Sequence, residues 1–131
     1  MGILEDYNAG NQFGKENNLR LNVVSAGHIE YEMTVEEKHF ALPEVMHGGA
    51  IAGLMDAVLS VAAFSAVAPE NKHVATVEFK INYLKTVSVP GKLKGTGKVV
   101  KKGKRVLVCK GEIVDGRGDM VAIGTGTLMP V

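Results

Sequence analysis

The residues best placed to do chemistry in this 131-residue chain are His47–Gly48–Gly49 and, nine positions after the histidine, Asp56. Between His47 and Glu70, Asp56 is the only charged side chain, and the run from Ile51 to Ala68 around it is apolar or small. A helix that is apolar all round is a buried one. An ionised carboxylate withdrawn from water costs several kcal/mol unless it is compensated or used. The expectation is therefore a buried acid with a task. At a helix start the first N–H groups lack partners and form the positive end of the dipole. Gly48 and Gly49 leave that backbone open to a ligand, with no Cβ in the way. Such amides can hold a developing oxyanion. Asp56 can serve as general base or as nucleophile, and the residues leave both roles open.

Periodicity supplies the elements that must position these groups. Ile3–Gly14 is mixed and reads as a short helix ending near Gly10 or Gly14. Leu19–Val24 alternates as a strand, and Ser25–His28 turns. Ile29, Tyr31, Met33 and Val35 then alternate with Glu30, Glu32, Thr34 and Glu36, so the two strands form a hairpin. Glu37–Met46, which includes Pro43, reads as a loop. Gly48–Val67 reads as one helix, stopped by Pro69–Glu70–Asn71–Lys72. Four strands follow. In the first, Ala75, Val77, Phe79, Ile81 and Tyr83 share a face; then come Lys92–Lys101, Arg105–Asp115 and Asp119–Met129. Hairpin connections are expected throughout, with turns at Lys102–Gly103 and Gly116–Gly118. The fold class is α+β: a curved antiparallel sheet of about six strands wrapped around one long central helix, in a single domain over residues 1–131.

Composition excludes several function classes. A formal net charge of +1 gives no field for nucleic acid or an anionic membrane. The lone Cys109 rules out an internal disulfide and points to a reducing, cytoplasmic setting. His28, His39, His47 and His73 lack ligand spacing, so no metal is expected. Phosphate-loop and dinucleotide motifs are missing, so no cofactor is expected, and no serine elbow is present. Glu5 and Asp6 in the first ten residues do not suit a signal peptide. Met1–Gly2 begins like an acylation signal, but Asp6 stands where Ser or Thr is needed. Gly53, Asp56, Ser60 and Ser65 interrupt the apolar run, which reads as a core helix rather than a membrane span.

Two strands, then a helix opened by His47–Gly48–Gly49–Ala50 with Asp56 inside it, then the strand Thr76–Val77–Glu78–Phe79–Lys80–Ile81–Asn82–Tyr83–Leu84: this resembles the hotdog-fold acyl-CoA thioesterases, and most nearly their phenylacetate-degradation branch. The resemblance covers about Val23 to Leu128. It implies hydrolysis of an acyl-CoA thioester without metal or cofactor. Asp56 would attack the thioester or activate water. The Gly48 N–H would polarise the carbonyl, and Thr76 would orient the water. One position departs from the pattern. The family has Asn or Gln six residues before the histidine; here it is Ala41, and the nearby Glu44 accepts rather than donates when ionised. Loss of one oxyanion donor costs about 2.7–4 kcal/mol in comparable sites. That departure keeps open a hotdog protein that binds acyl-CoA without turning it over, and a purely structural or regulatory dimer.

Gly48 and Asp56 lie eight residues apart on one expected helix. At about 1.5 Å per residue they are separated by roughly 12 Å. A reacting group must come within about 3–3.5 Å of the carbon it attacks. The two residues of one chain therefore cannot serve the same thioester. The expectation is a homodimer with shared sites, Gly48 from one subunit and Asp56 from the other, with a further pairing into a dimer of dimers.

Each candidate also has a plain structural reading. Gly48 and Gly49 could be a bare turn and helix start. His47 could take part in catalysis or hold the loop by a hydrogen bond. Asp56 could be a buried acid bonded to Ser60, Thr76 an ordinary strand residue, and Met55 and Phe64 core rather than acyl-pocket lining. The tip Lys101–Lys102–Gly103–Lys104–Arg105 could be a solvated turn that protects an edge, or Lys102 and Arg105 could clamp the phosphates of coenzyme A.

Overall fold

A trough of glycines seats the central helix. The computed structural model describes residues 2–131, so Met1, where the rejected acylation signal begins, lies outside the described residues. The elements before the helix are α1 (Ile3–Gly10), α2 (Gln12–Glu16), β1 (Leu19–Ser25), β2 (His28–Val35), β3 (Phe40–Leu42) and β4 (Val45–Met46). The helix itself, α3, runs Gly48–Val67; β5 (Val74–Tyr83), β6 (Gly91–Lys102), β7 (Leu107–Val114) and β8 (Met120–Pro130) follow. Six strands form one antiparallel sheet in the order β1-β2-β6-β7-β8-β5. The expected sheet around one helix is what the structure has.

Gly97, Gly111 and Gly124 stand side by side on β6, β7 and β8. A Cβ at Gly97 would lie 2.0 Å from the Val58 carbonyl oxygen, and one at Gly111 would lie 2.8 Å from Met55 Sδ. With those side chains gone, α3 packs closely on the sheet, burying Leu54, Met55, Val58, Leu59, Val61 and Ala62 against Ile29, Met33, Leu107, Ile113 and Leu128. At about 25 cal/mol per Å² of apolar area removed from water, this contact is the main stabilising term of the fold. α3 is long and apolar enough to cross a membrane, but here its apolar side is the core of the sheet.

Several expectations need correction. Of the hairpin connections expected after α3, β6–β7 and β7–β8 are present, but β5 does not pair with β6: β5 pairs with β8, while β6 pairs with β2 and β7. The link after Tyr83 crosses the end of the β7–β8 pair instead. Leu84 N–H donates to the Val121 carbonyl, and Lys85 pairs with Asp115 and Asp119 in the β7–β8 turn. The stretch before His47 is not bare loop, since β3 and β4 pair there as a small bulged hairpin. The N-terminal helix is two helices, with the Asn11 side chain accepting from Gly14 N–H at the break. β5 carries a bulge between Thr76 and Glu78, so Val77 is exposed while Phe79 and Ile81 pack inward. An unpaired extra residue of this kind resets the strand's alternation.

Candidate active site

Asp56 sits mid-way along α3, and its partner is Thr76 at the start of β5. The threonine Oγ1 donates to Asp56 Oδ1 at 2.7 Å. The acid is half-buried, not sealed as expected. The glycine trough covers only one side of α3. The other side carries Gly49, Ala52, Gly53, Asp56, Ala57 and Ser60, all exposed or half-buried. Ser60 is not the partner of Asp56: its hydroxyl donates back to the Ala57 carbonyl at 3.4 Å. With one carboxylate oxygen held by Thr76, the other is open to accept a proton.

The helix start is built by its histidine. His47 has φ −64° and ψ 128°, and its Nδ1 accepts the Gly49 N–H at 2.7 Å as a cap. In the neutral ring the proton then resides on Nε2. Two consequences follow for the glycines. The Gly49 N–H is engaged, and a Cβ at Gly49 would lie 2.9 Å from the imidazole, so this glycine makes room for the cap rather than for a ligand. The Gly48 N–H has no acceptor among the described residues. Its own carbonyl accepts the Tyr83 hydroxyl at 3.0 Å, which fixes the plane of the first helical residue. A depression of about 250 Å³ opens beside it, lined in part by Met46, Ile51, Tyr83 and Leu84.

Behind this corner, His47 N–H donates to the His39 carbonyl at 2.8 Å and Met46 N–H to the Val87 carbonyl at 3.0 Å. His39 is buried; its Nδ1 accepts from Glu36 N–H at 3.0 Å, and its Nε2 has no partner among the described residues. Burial, helped by the Lys38 charge, holds its imidazole below the usual histidine value.

The remaining candidates are more dispersed. Ala41 is exposed, at the irregularity in β3. Lys102 is ion-paired with Glu70 and also reaches the Ala66 carbonyl, at the far end of α3 from Gly48. Arg105 makes no ion pair among the described residues. Burial pushes the Cys109 thiol up to about 12, which leaves it inert as a nucleophile. Among the described residues no three His, Cys, Asp or Glu side chains come together as metal ligands would. Sequence reasoning missed the role of Tyr83. Its alternation marked a core-facing position, and no local signal marks a hydroxyl aimed at a helix start 35 residues away.

Comparison with known proteins places this geometry. The thioesterase superfamily model matches residues 44–122, from the hairpin before His47 into β8. No curated protein matches the chain. Among solved structures, a conserved protein from Pseudomonas aeruginosa, PA5202, is 28% identical, with a TM-score of 0.84 over 92% of this chain and 94% of that one. A thioesterase family protein from Silicibacter pomeroyi is 25% identical, with a TM-score of 0.89 over 98% and 95%. The PaaI protein of the Escherichia coli phenylacetic acid degradation operon, 20% identical, shares the fold at a TM-score of 0.89 over 97% and 89%. The chain has the hotdog fold and belongs to the thioesterase superfamily, hydrolases of thioesters.

Proposed function

We propose that this protein hydrolyses acyl-CoA thioesters in the cytoplasm, at sites shared between the two subunits of a homodimer. The observation that carries the reading is the carboxylate of Asp56, held by Thr76 and open on its other oxygen, on the same helix as an unengaged Gly48 N–H. The two lie eight residues apart on α3, about 12 Å along its axis. A second copy must bring its Gly48 to this chain's Asp56. β5, which carries Thr76, is an edge strand of the sheet, and its Val77 and Tyr83 are exposed. An unpaired edge of this kind invites a second strand, and pairing by a two-fold axis would set the helices side by side.

In the proposed reaction the partner's Gly48 N–H binds the thioester oxygen as it gains charge. Asp56 takes a proton from water while the water oxygen adds to the carbonyl carbon. The C–S bond then breaks, and the coenzyme A thiolate takes up the proton held by Asp56. Attack by Asp56 itself, giving an anhydride that water opens, uses the same contacts. His47 acts by shaping the helix start.

A second reading, binding of acyl-CoA without turnover, is favoured by Ala41, which offers no side-chain donor. A panel of acyl-CoA esters, assayed for released thiol with wild type and Asp56→Ala, separates the two. Hydrolysis is expected to fall about 10²–10⁴-fold in the variant. Tight binding with no turnover in either protein would establish the second reading.

A further inference from the structure

Asp56 belongs to a stripe. Gly53, Asp56, Ser60 and Phe64 follow one another on α3 at spacings of three, four and four, which puts them on one face. Two aromatic residues of the N-terminal helices lie on that stripe, one on each side of the acid. Phe13 of α2 covers Gly53, where a Cβ would come 3.0 Å from the phenyl ring. Tyr7 of α1 stands edge-on to Phe64, with ring centroids 5.4 Å apart and planes at 78°. Beyond Phe64 the His73 ring closes the row at 5.1 Å.

These two rings are not core. Phe13 is 55% and Tyr7 36% exposed. α1 buries no residue of its own and has no side-chain cap. Exposed apolar surface gathered around a carboxylate calls for an apolar ligand. Burial first, and then the nearby Asp56 charge, raises the Tyr7 phenol above its ordinary value, so its hydroxyl stays protonated.

We propose that Tyr7 and Phe13 form the wall against which the substrate's acyl chain lies, and that Tyr7, seated on Phe64, sets the longest chain admitted. This rests on the thioesterase reading above. From Asp56 to Phe64 the stripe runs about 12 Å along the helix, room for a medium acyl chain and not a long one.

The test is turnover of straight-chain acyl-CoAs of increasing length by wild type, Tyr7→Ala, Tyr7→Phe and Phe13→Ala, with thermal melts to confirm folding. Wild type and Tyr7→Phe should share one cut-off. Tyr7→Ala should move it to longer chains, raising kcat/KM about tenfold for the first lengths that wild type rejects, as expected from burying about two more methylenes. Phe13→Ala should raise KM at every length. An unchanged cut-off in folded Tyr7→Ala overturns the proposal. If wild type hydrolyses none of the panel, the thioesterase reading fails separately, and calorimetric binding of the same esters decides the wall. A length dependence that differs between wild type and Tyr7→Ala supports it. Identical constants, or no binding at all, overturn it.

Discussion

Thr76, on the free edge of the sheet, holds Asp56 of the central helix through a 2.7 Å hydrogen bond across 20 residues of sequence. The threonine sits at a bulge, so the edge strand presents this hydroxyl to the helix while Val77 turns outward. A hydrogen bond to a charged group is worth about 1.5–3 kcal/mol. Thr76→Val should therefore lower kcat roughly 10- to 100-fold, the equivalent of that energy, and Thr76→Ser should restore most of it. Steady-state kinetics on any accepted thioester reads the effect. Equal activity in Thr76→Val and wild type would make the bond incidental.

His47 is the cap of α3, and its loss should show first in stability. Removing an N-cap side chain costs about 0.5–2 kcal/mol, a shift of a few degrees in melting temperature for a chain of this size. His47→Ala should show that loss together with reduced kcat, because the Gly48 amide is no longer held. His47→Asn, which can also cap, should recover both. Recovery of stability without activity would instead give the imidazole a direct part in the chemistry.

His39 makes the corner acid-sensitive. Its folded form titrates below the ordinary histidine value because the ring is buried, with the Lys38 charge acting in the same direction. The unfolded chain therefore takes up the proton first as pH falls below about 6.5. Stability is greatest above that pH and is lost as pH drops towards the depressed folded value. Melting temperatures between pH 7.5 and 5 should fall more steeply for wild type than for His39→Gln. Parallel lines would show that His39 does not carry the effect.

The glycine trough yields a sharp packing prediction. A methyl at Gly97 has no room, because the obstacle is the backbone carbonyl of Val58 rather than a flexible side chain. Gly97→Ala should cost more than about 3 kcal/mol, above the usual range for overpacking, as measured by denaturant unfolding. Gly116→Ala, with nothing within 4 Å of the new methyl, is the control.

How much of this was legible in the sequence depends on the range of the interactions. The α3 boundaries, Gly48 and Val67, were readable because the run is uniformly apolar and Pro69 ends it. β2 was readable because its alternation is unbroken. The partnering of β5 with β8 was not, since register between distant strands leaves no local trace. The exposure of Asp56 was misjudged because apolarity marks a buried helix, while Gly53, Ala57 and Ser60, small residues on its outer face, are silent about what covers them. The spacing of His47, Gly48 and Asp56 set the candidate site. That His47 consumes the Gly49 amide needed the ring's position. Tyr7, Phe13 and Tyr83 reach α3 from elements whose own patterns do not point there.

The sharing of each site between subunits is tested most directly by mixing two inactive variants. Gly48→Pro removes the amide hydrogen at a first helical position that tolerates proline, and the preceding His47 already has the extended backbone a proline requires. Asp56→Ala removes the carboxylate. After unfolding and reassembly of an equal mixture, half of the dimers are mixed, and each holds one site with both groups intact. Recovery to about a quarter of wild-type activity is predicted on that two-fold statistics. Activity no higher than that of either variant alone would place both groups' function within one chain and contradict the shared site.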